Sequence, residues 1–188
     1  MLVKVFGSAV FGVEATTITV EVNCDKGIGY HLVGLPDSAI KESSYRIAAA
    51  LKNIGYQLPG KKITINMAPA DLRKEGSAYD ATIAIGILIA SSQIKAENFA
   101  EYIIMGELSL DGTLQPIKGA LSIAIKAQEE GFKGIFLPKD NVKEAAIVEG
   151  LDVYGITRLN EIIDFFEEKM AYEKIRLALA ILEKENLV

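Results

Sequence analysis

A strongly apolar segment, Ala81–Ala90, constrains the fold of this chain more than any other feature. It carries no charged side chain, and it follows a polar loop that contains Pro69 and Gly76. We predict a helix over about residues 78–92. A helix that is apolar on nearly every side has to lie inside a layered core. The loop before it is then held rigidly, which is a typical position for a catalytic or binding residue.

Composition and charge narrow the class of protein. A length of 188 residues is enough for one packed domain and an appendage. The net charge of −5 argues against an autonomous nucleic-acid-binding domain, although a local basic patch stays open. Cys24 is the single cysteine, so we expect no disulfide and a reducing compartment. Without a signal-peptide pattern or a run of ~20 apolar residues, we predict a cytoplasmic protein with no membrane partner.

Strand and helix patterns alternate along the chain, which is typical of an α/β fold. The predicted strands cover 3–11, 16–23, 30–33, 62–67, 102–110, 113–117, 134–137 and 152–156, and the predicted helices cover 38–54, 78–92, 119–130, 140–149 and 159–169. We assign residues 1–169 to one domain. Residues 170–188 are predicted to form an appended amphipathic helix, and packing on the domain or against another helix both stay open.

The chain offers few residues for metal or nucleotide chemistry. His31 is the only histidine, so a zinc cluster is excluded, and we predict no metal site. Residues 55–62 match a phosphate loop as far as Lys61, but Lys62 stands where Ser or Thr should hold magnesium. The segment also runs from a helix into a strand, whereas a phosphate loop opens a helix. We interpret this match as coincidental.

One nucleophilic arrangement remains open. Ser77 lies in the rigid loop, and Lys118 and Lys126 lie around the start of a later helix. A buried lysine with a lowered pKa can activate a serine without any histidine.

Several blocks of sequence resemble a known family. These blocks are Phe11-Gly-Val-Glu14, Leu32-Val-Gly-Leu-Pro-Asp37, Ile63-Thr-Ile-Asn-Met-Ala-Pro-Ala-Asp-Leu72, and Lys74-Glu-Gly76 with Tyr79-Asp80. They resemble the N-terminal Lon-protease-like (ChlI-type) domain of the Mg-chelatase-like AAA+ family, of the ComM and YifB type. The resemblance covers roughly residues 1–169. It implies the fold of ribosomal protein S5 domain 2, shared with the proteolytic domain of Lon, with a mixed sheet and packed helices.

The resemblance also implies that the catalytic groups of Lon are replaced here. The nucleophile of Lon falls at Ala78 and its catalytic lysine falls at Leu121, so both positions are apolar. Ser77 with Lys118 would form a fallback Ser-Lys peptidase only if the loop shifted by one residue. Misplacement of about 1 Å already lowers catalysis strongly. We therefore predict that this chain is not an enzyme.

The resemblance implies a role beside an ATPase. Family members continue into an AAA+ module with a true phosphate loop, so ATP and Mg are expected only there and no cofactor is expected in this chain. We predict a non-catalytic accessory domain that assists assembly or DNA engagement in DNA branch migration and natural transformation. Its partners would be its own AAA+ module or further copies of the chain, with DNA as a further candidate. A pure oligomerisation module is the alternative. The candidate DNA contacts are Arg46, Lys52, Lys61, Lys62, Arg73 and Lys74.

Overall fold

The computed structural model describes residues 1–167. Its strands are β1 (Leu2–Phe11), β2 (Glu14–Asp25), β3 (Gly29–Val33), β4 (Lys62–Ala68), β5 (Tyr102–Ile104), β6 (Glu107–Leu108), β7 (Leu114–Gln115), β8 (Gly134–Pro138) and β9 (Asp152–Ile156). Its helices are α1 (Ser38–Lys41), α2 (Ser43–Asn53), α3 (Asp80–Ala90), α4 (Ala120–Glu129), α5 (Val142–Ala145) and α6 (Leu159–Phe166). The helix predicted for residues 170–188 lies outside the described residues.

One mixed sheet of seven strands organises the domain, in the order β3-β4-β2-β1-β5-β8-β9. β1 and β2 form an antiparallel hairpin, and β4 continues the sheet antiparallel to β2. On the other side of β1, the strands β5, β8 and β9 run parallel. The short strands β6 and β7 pair with each other as a separate ribbon. The predicted α/β fold with a mixed sheet and packed helices is confirmed.

Helix α3 is the buried helix predicted from the apolar segment. All of its residues are buried, and it packs on β1 and β2. Gly86 permits this close approach, because a Cβ there would lie 2.7 Å from a methyl carbon of Val22 and 3.1 Å from one of Val5. Helix α4 approaches β1 at Val10, which lies beside Gly119. Since Val5 and Val10 point to opposite faces of the strand, α3 and α4 cover the two faces of the sheet.

Three predicted elements are interrupted, and one of them is the helix predicted over 38–54, which is divided at Glu42 into α1 and α2. The strand predicted over 102–110 ends at Ile104, because Gly106 has a φ of +159° and its N–H donates to the carbonyl of Ala78 at 2.8 Å. The chain resumes as β6 at Glu107. The helix predicted over 140–149 is a 3₁₀ turn followed by α5, which ends at Ala145. The interruption at Gly106 matters most, because it bends the chain around the cavity described below.

The tyrosines give a pH-dependent prediction. Burial raises the pKa of Tyr30 to about 12 and that of Tyr154 to about 12, against about 10 in an unfolded chain. Because the folded-state pKa is raised, their contribution to stability is complete below about pH 10 and is lost as the pH rises through about 12. In an ultraviolet titration of the seven tyrosines, we expect a first group to ionise near pH 10 and a second group only near pH 12. Ionisation of all of them in one step near pH 10 would contradict the burial of Tyr30 and Tyr154.

Candidate functional site

A cavity of about 360 Å³ opens where β1 and β5 separate. These parallel strands pair at Phe6 and Ile103, and beyond this point Met105 enters the gap. The N–H of Ser8 donates to the Met105 Sδ at 3.3 Å instead of to a neighbouring strand. The cavity therefore lies between the second half of β1, the loop before α3 and the start of α4.

The cavity is lined by more apolar side chains than polar ones. The apolar lining side chains are Val10, Ala78, Tyr79, Met105, Pro116, Ile117 and Ile123, and the polar ones are Ser8, Glu75, Ser77, Glu107 and Lys118. The volume falls in the range of about 300–1,000 Å³ that is typical of ligand pockets. The lining therefore suits an apolar group that carries a few polar contacts.

Lys74 and Asp37 anchor one end of the loop before α3. Lys74 is fully buried, and its ammonium donates to the carbonyl of Gly34 at 2.8 Å and to that of Pro69. Burial lowers the pKa of this ammonium. The carboxylate of Asp37 accepts the N–H of Gly76 at 2.8 Å, and the backbone N–H of Asp37 donates to the Lys74 carbonyl at 3.0 Å. The loop is thereby fixed to the segment that precedes α1.

Asp80 and Arg46 anchor the other end of the loop. Asp80 is 1% exposed. It accepts the Arg46 Nε at 2.6 Å and the Arg46 Nη2 at 2.9 Å, together with the N–H of Leu108 at 3.1 Å. This two-point hydrogen bond raises the pKa of Arg46. The start of α3 is therefore tied to α2 and to β6 through one buried carboxylate.

The structure brings Ser77, Ala78 and Lys118 to the same cavity but does not form a Ser-Lys pair. The Ser77 hydroxyl donates to a carboxylate oxygen of Glu107, whereas Ala78 presents only a methyl group. Lys118 is exposed at the rim, and no hydrogen bond joins Ser77 to a lysine within residues 1–167. Leu121 lies in α4, half-buried and outside the lining.

The basic residues predicted to contact DNA do not share one surface. Lys61 and Lys62 are exposed at the start of β4, and Lys52 is exposed near the end of α2. Arg73 follows the opposite end of β4, and the seven-residue strand spans about 23 Å. Arg73 is exposed, and its Nε lies 3.4 Å from a carboxylate oxygen of Glu75.

Two of these candidates need correction. Lys74 is fully buried by the contacts described above, so its ammonium cannot reach a phosphate. Arg46 uses its guanidinium to hold Asp80 and the carbonyl of Ala39, the latter at 2.7 Å. We therefore remove both residues from the candidate DNA contacts.

Sequence reasoning did not find Glu107 or the structural role of Asp80. The signal for Asp80 was present, since a single carboxylate at the start of an otherwise apolar helix needs a buried partner. Glu107 gave no comparable signal, because its contact with Ser77 depends on the bend at Gly106. Within the described part of the chain, no group of three or more His, Cys, Asp or Glu side chains is placed to hold a metal. No helix in residues 1–167 is long and apolar enough to cross a membrane.

Comparison with known proteins places this chain in a family. The chain is 45% identical over 167 residues to the uncharacterized protein YifB of Escherichia coli. The aligned residues make up 88% of this chain and 33% of that protein. It is 38% identical over 188 residues to the competence protein ComM of Haemophilus influenzae. Here the alignment covers 100% of this chain and 36% of that protein. It is therefore about a third as long as these relatives.

A more distant relative agrees with the fold. The archaeal Lon protease of Methanocaldococcus jannaschii is 24% identical over 174 residues, which covers 85% of this chain and 26% of that protein. The family model described as subunit ChlI of Mg-chelatase matches residues 20–141, well over half of the chain. Since this match extends over more than half of the chain, the chain belongs to the family of subunit ChlI of Mg-chelatase.

Proposed function

We propose that this domain is a non-catalytic, Lon-like accessory domain of a Mg-chelatase-like, ComM-type AAA+ ATPase. The chemistry of the cavity is the observation that carries this proposal. Ala78 presents a methyl group where a Lon-like nucleophile is expected, and Leu121 lies outside the lining. The cavity has the volume of a binding site, while apolar side chains stand where the groups that form and break bonds would be expected.

Ser77 does not restore the missing chemistry. A serine becomes a nucleophile when an adjacent base takes its proton, and in a Ser-Lys pair that base is a buried lysine. Here the Ser77 hydroxyl donates to Glu107, Lys118 is exposed, and the buried Lys74 donates to backbone carbonyls. A residual peptidase remains the competing function, because the Ser77–Glu107 contact does lie in the cavity.

The ATPase activity and any role in DNA branch migration or natural transformation are proposed for a whole protein of the ComM type. The domain would assist assembly of that protein or its contact with DNA. Its partners would then be its own AAA+ module or further copies of the chain. ATP and Mg would be bound by the ATPase module. The alternative of a pure oligomerisation module rests on residues 170–188, which lie outside the described residues.

Contact with DNA is supported by a basic end of the sheet. Lys61 and Lys62 are exposed there, and Lys26 is exposed in the turn that follows β2. The α-amino group of Met1 lies at the same end, because it donates to the carbonyl of Cys24 at 2.9 Å. Exposed positive charges attract phosphates even where the net charge of the chain is negative.

We expect the Lys61→Glu/Lys62→Glu double variant to bind branched DNA about tenfold more weakly than the unmodified chain at ~50 mM salt, because both phosphate contacts become repulsive. The affinity of the unmodified chain should fall steeply between ~50 and ~200 mM salt. Fluorescence anisotropy with labelled branched DNA measures both effects. Arg73→Glu is the control at the opposite end of β4 and should leave the affinity unchanged. Equal losses in both variants, or affinity that does not depend on salt, would contradict this DNA surface.

A further inference from the structure

One edge of β1 is open beside the cavity. β1 pairs with β2 along its whole length, but within residues 1–167 its pairing with β5 stops at Phe6. Beyond this position, the carbonyl of Ile104 accepts the buried Thr82 hydroxyl, and the N–H of Ser8 donates to the Met105 sulfur. Side chains thus end the pairing, and the second half of β1 keeps an edge that no other strand of residues 1–167 covers.

Val10 directs its backbone groups to this open edge. In a β-strand, the N–H and C=O groups of residues i and i+2 point to the same side. Because the Ser8 N–H points toward Met105, the N–H and C=O of Val10 also point away from β2 and toward the cavity. An open strand edge of this kind is a template for the backbone of an added strand.

The cavity provides a pocket for one side chain of such a strand. Val10 itself lines it, together with Met105, Ile117 and Ile123. Peptides that add to a sheet edge gain affinity from backbone hydrogen bonds and specificity from pockets for alternate side chains. The lining includes the carboxylates of Glu75 and Glu107 and the ammonium of Lys118, and Glu75 forms an ion pair with Arg73 at 3.4 Å. Within residues 1–167 Glu107 forms no ion pair, so its carboxylate favours a basic residue next to the side chain that enters the pocket.

We propose that the cavity and the open edge of β1 bind an extended peptide segment, with an aliphatic side chain in the cavity and a basic residue beside it. This inference rests on the proposed non-catalytic function, because the segment would be held without being cleaved. The segment would add next to Ser8 and Val10, in the position that β5 leaves empty. The domain would thereby recognise an unfolded or exposed stretch of another protein.

Short labelled peptides test this inference on the 188-residue chain. The first peptide pool carries a central aliphatic residue flanked by lysine, and the matched pool carries aspartate in place of the aliphatic residue. We expect saturable binding of the first pool, seen by fluorescence anisotropy, and chemical-shift changes at the amides of Ser8 and Val10. Amide exchange at Val10 should slow when the peptide binds, because its N–H gains a partner. The aspartate pool should bind at least about tenfold more weakly.

Two substitutions at one position separate the backbone contact from the apolar contact. Val10→Ala shortens the aliphatic side chain and keeps the N–H, whereas Val10→Pro replaces the side chain with a ring and removes the N–H. Proline is tolerated at a strand edge whose N–H does not point into the sheet. We expect Val10→Pro to bind the aliphatic pool about tenfold more weakly than Val10→Ala. Thermal unfolding of both variants checks that they fold. If Val10→Pro does not fold, amide exchange at Val10 in the unmodified chain tests the same backbone contact with the peptide.

The outcomes distinguish the two proposals. Binding without cleavage supports both of them. Binding followed by cleavage keeps the peptide site and overturns the non-catalytic function. No shift at Ser8 and Val10 with either pool overturns the peptide site and leaves the non-catalytic function in place. Equal binding of both pools, or equal affinity of Val10→Pro and Val10→Ala, overturns the assigned mode of recognition.

Discussion

Asp80→Ala is expected to lower the free energy of unfolding by about 2–5 kcal/mol, because it leaves the partly buried guanidinium of Arg46, whose side chain is 19% exposed, without its carboxylate partner. Asp80 is 1% exposed and holds Arg46 through two hydrogen bonds of 2.6 and 2.9 Å. The substitution also removes the acceptor of the Leu108 N–H. The loop that carries Ser77 would then lose its anchor at α3. Urea unfolding followed by circular dichroism measures the change.

Two further variants show whether the effect belongs to the buried pair. Glu42 also approaches Arg46, at 3.8 Å, but its side chain is 68% exposed. Glu42→Ala should therefore cost less than about 1 kcal/mol. In a double-mutant cycle, Asp80→Ala and Arg46→Ala should be strongly non-additive, because each removes the same interaction. Additive losses, or similar losses for Glu42→Ala and Asp80→Ala, would contradict the anchoring role of Asp80.

Gly34→Ala is expected to destabilise the domain by about 2–6 kcal/mol, of which backbone strain contributes about 1–3 and a forced backbone shift about 1–3. Gly34 has a φ of +100°, and a Cβ there would lie 2.1 Å from the carbonyl oxygen of Met67. That oxygen belongs to the backbone of β4, so a rotamer change cannot relieve the contact. The shift would also move the Gly34 carbonyl that accepts the Lys74 ammonium. Urea unfolding measures the loss.

Gly55→Ala is a matched control for the strain alone. Gly55 has a similar φ of +93°, but no atom lies within 4 Å of its Cβ position. Its substitution should therefore cost only the left-handed backbone conformation, about 1–2 kcal/mol. A loss as large in Gly55→Ala as in Gly34→Ala would show that the close approach to Met67 is unimportant.

Local patterns predicted the elements that local chemistry determines. The buried helix α3 follows from an uninterrupted apolar segment, and Asp37, a residue type typical of helix N-caps, accepts the N–H of Ile40 at 2.9 Å at the start of α1. Asp111-Gly112, a pair typical of hairpin turns, lies in the segment 109–113 that joins β6 and β7. These features depend on residues a few positions apart, so the sequence displays them directly.

Features that depend on distant contacts were harder to predict. Lys74 reads as a surface charge, yet it is buried because carbonyls of Gly34 and Pro69 surround its ammonium. The site was located by the loop at Ser77, but its wall depends on Met105 filling the gap between two strands. Pairing between segments tens of residues apart leaves no periodic pattern in the sequence, and the open edge of β1 belongs to this class.

Hydrolysis of an unfolded protein such as casein tests the non-catalytic role of the cavity most directly. The unmodified chain and its Ser77→Ala variant would be compared under the same conditions, with a Lon protease as the positive control. We expect no hydrolysis above the buffer rate for either form, because Ala78 carries no nucleophile and the Ser77 hydroxyl donates to Glu107 and to no lysine of residues 1–167. Hydrolysis by the unmodified chain that disappears in Ser77→Ala would contradict this role and identify the domain as a peptidase.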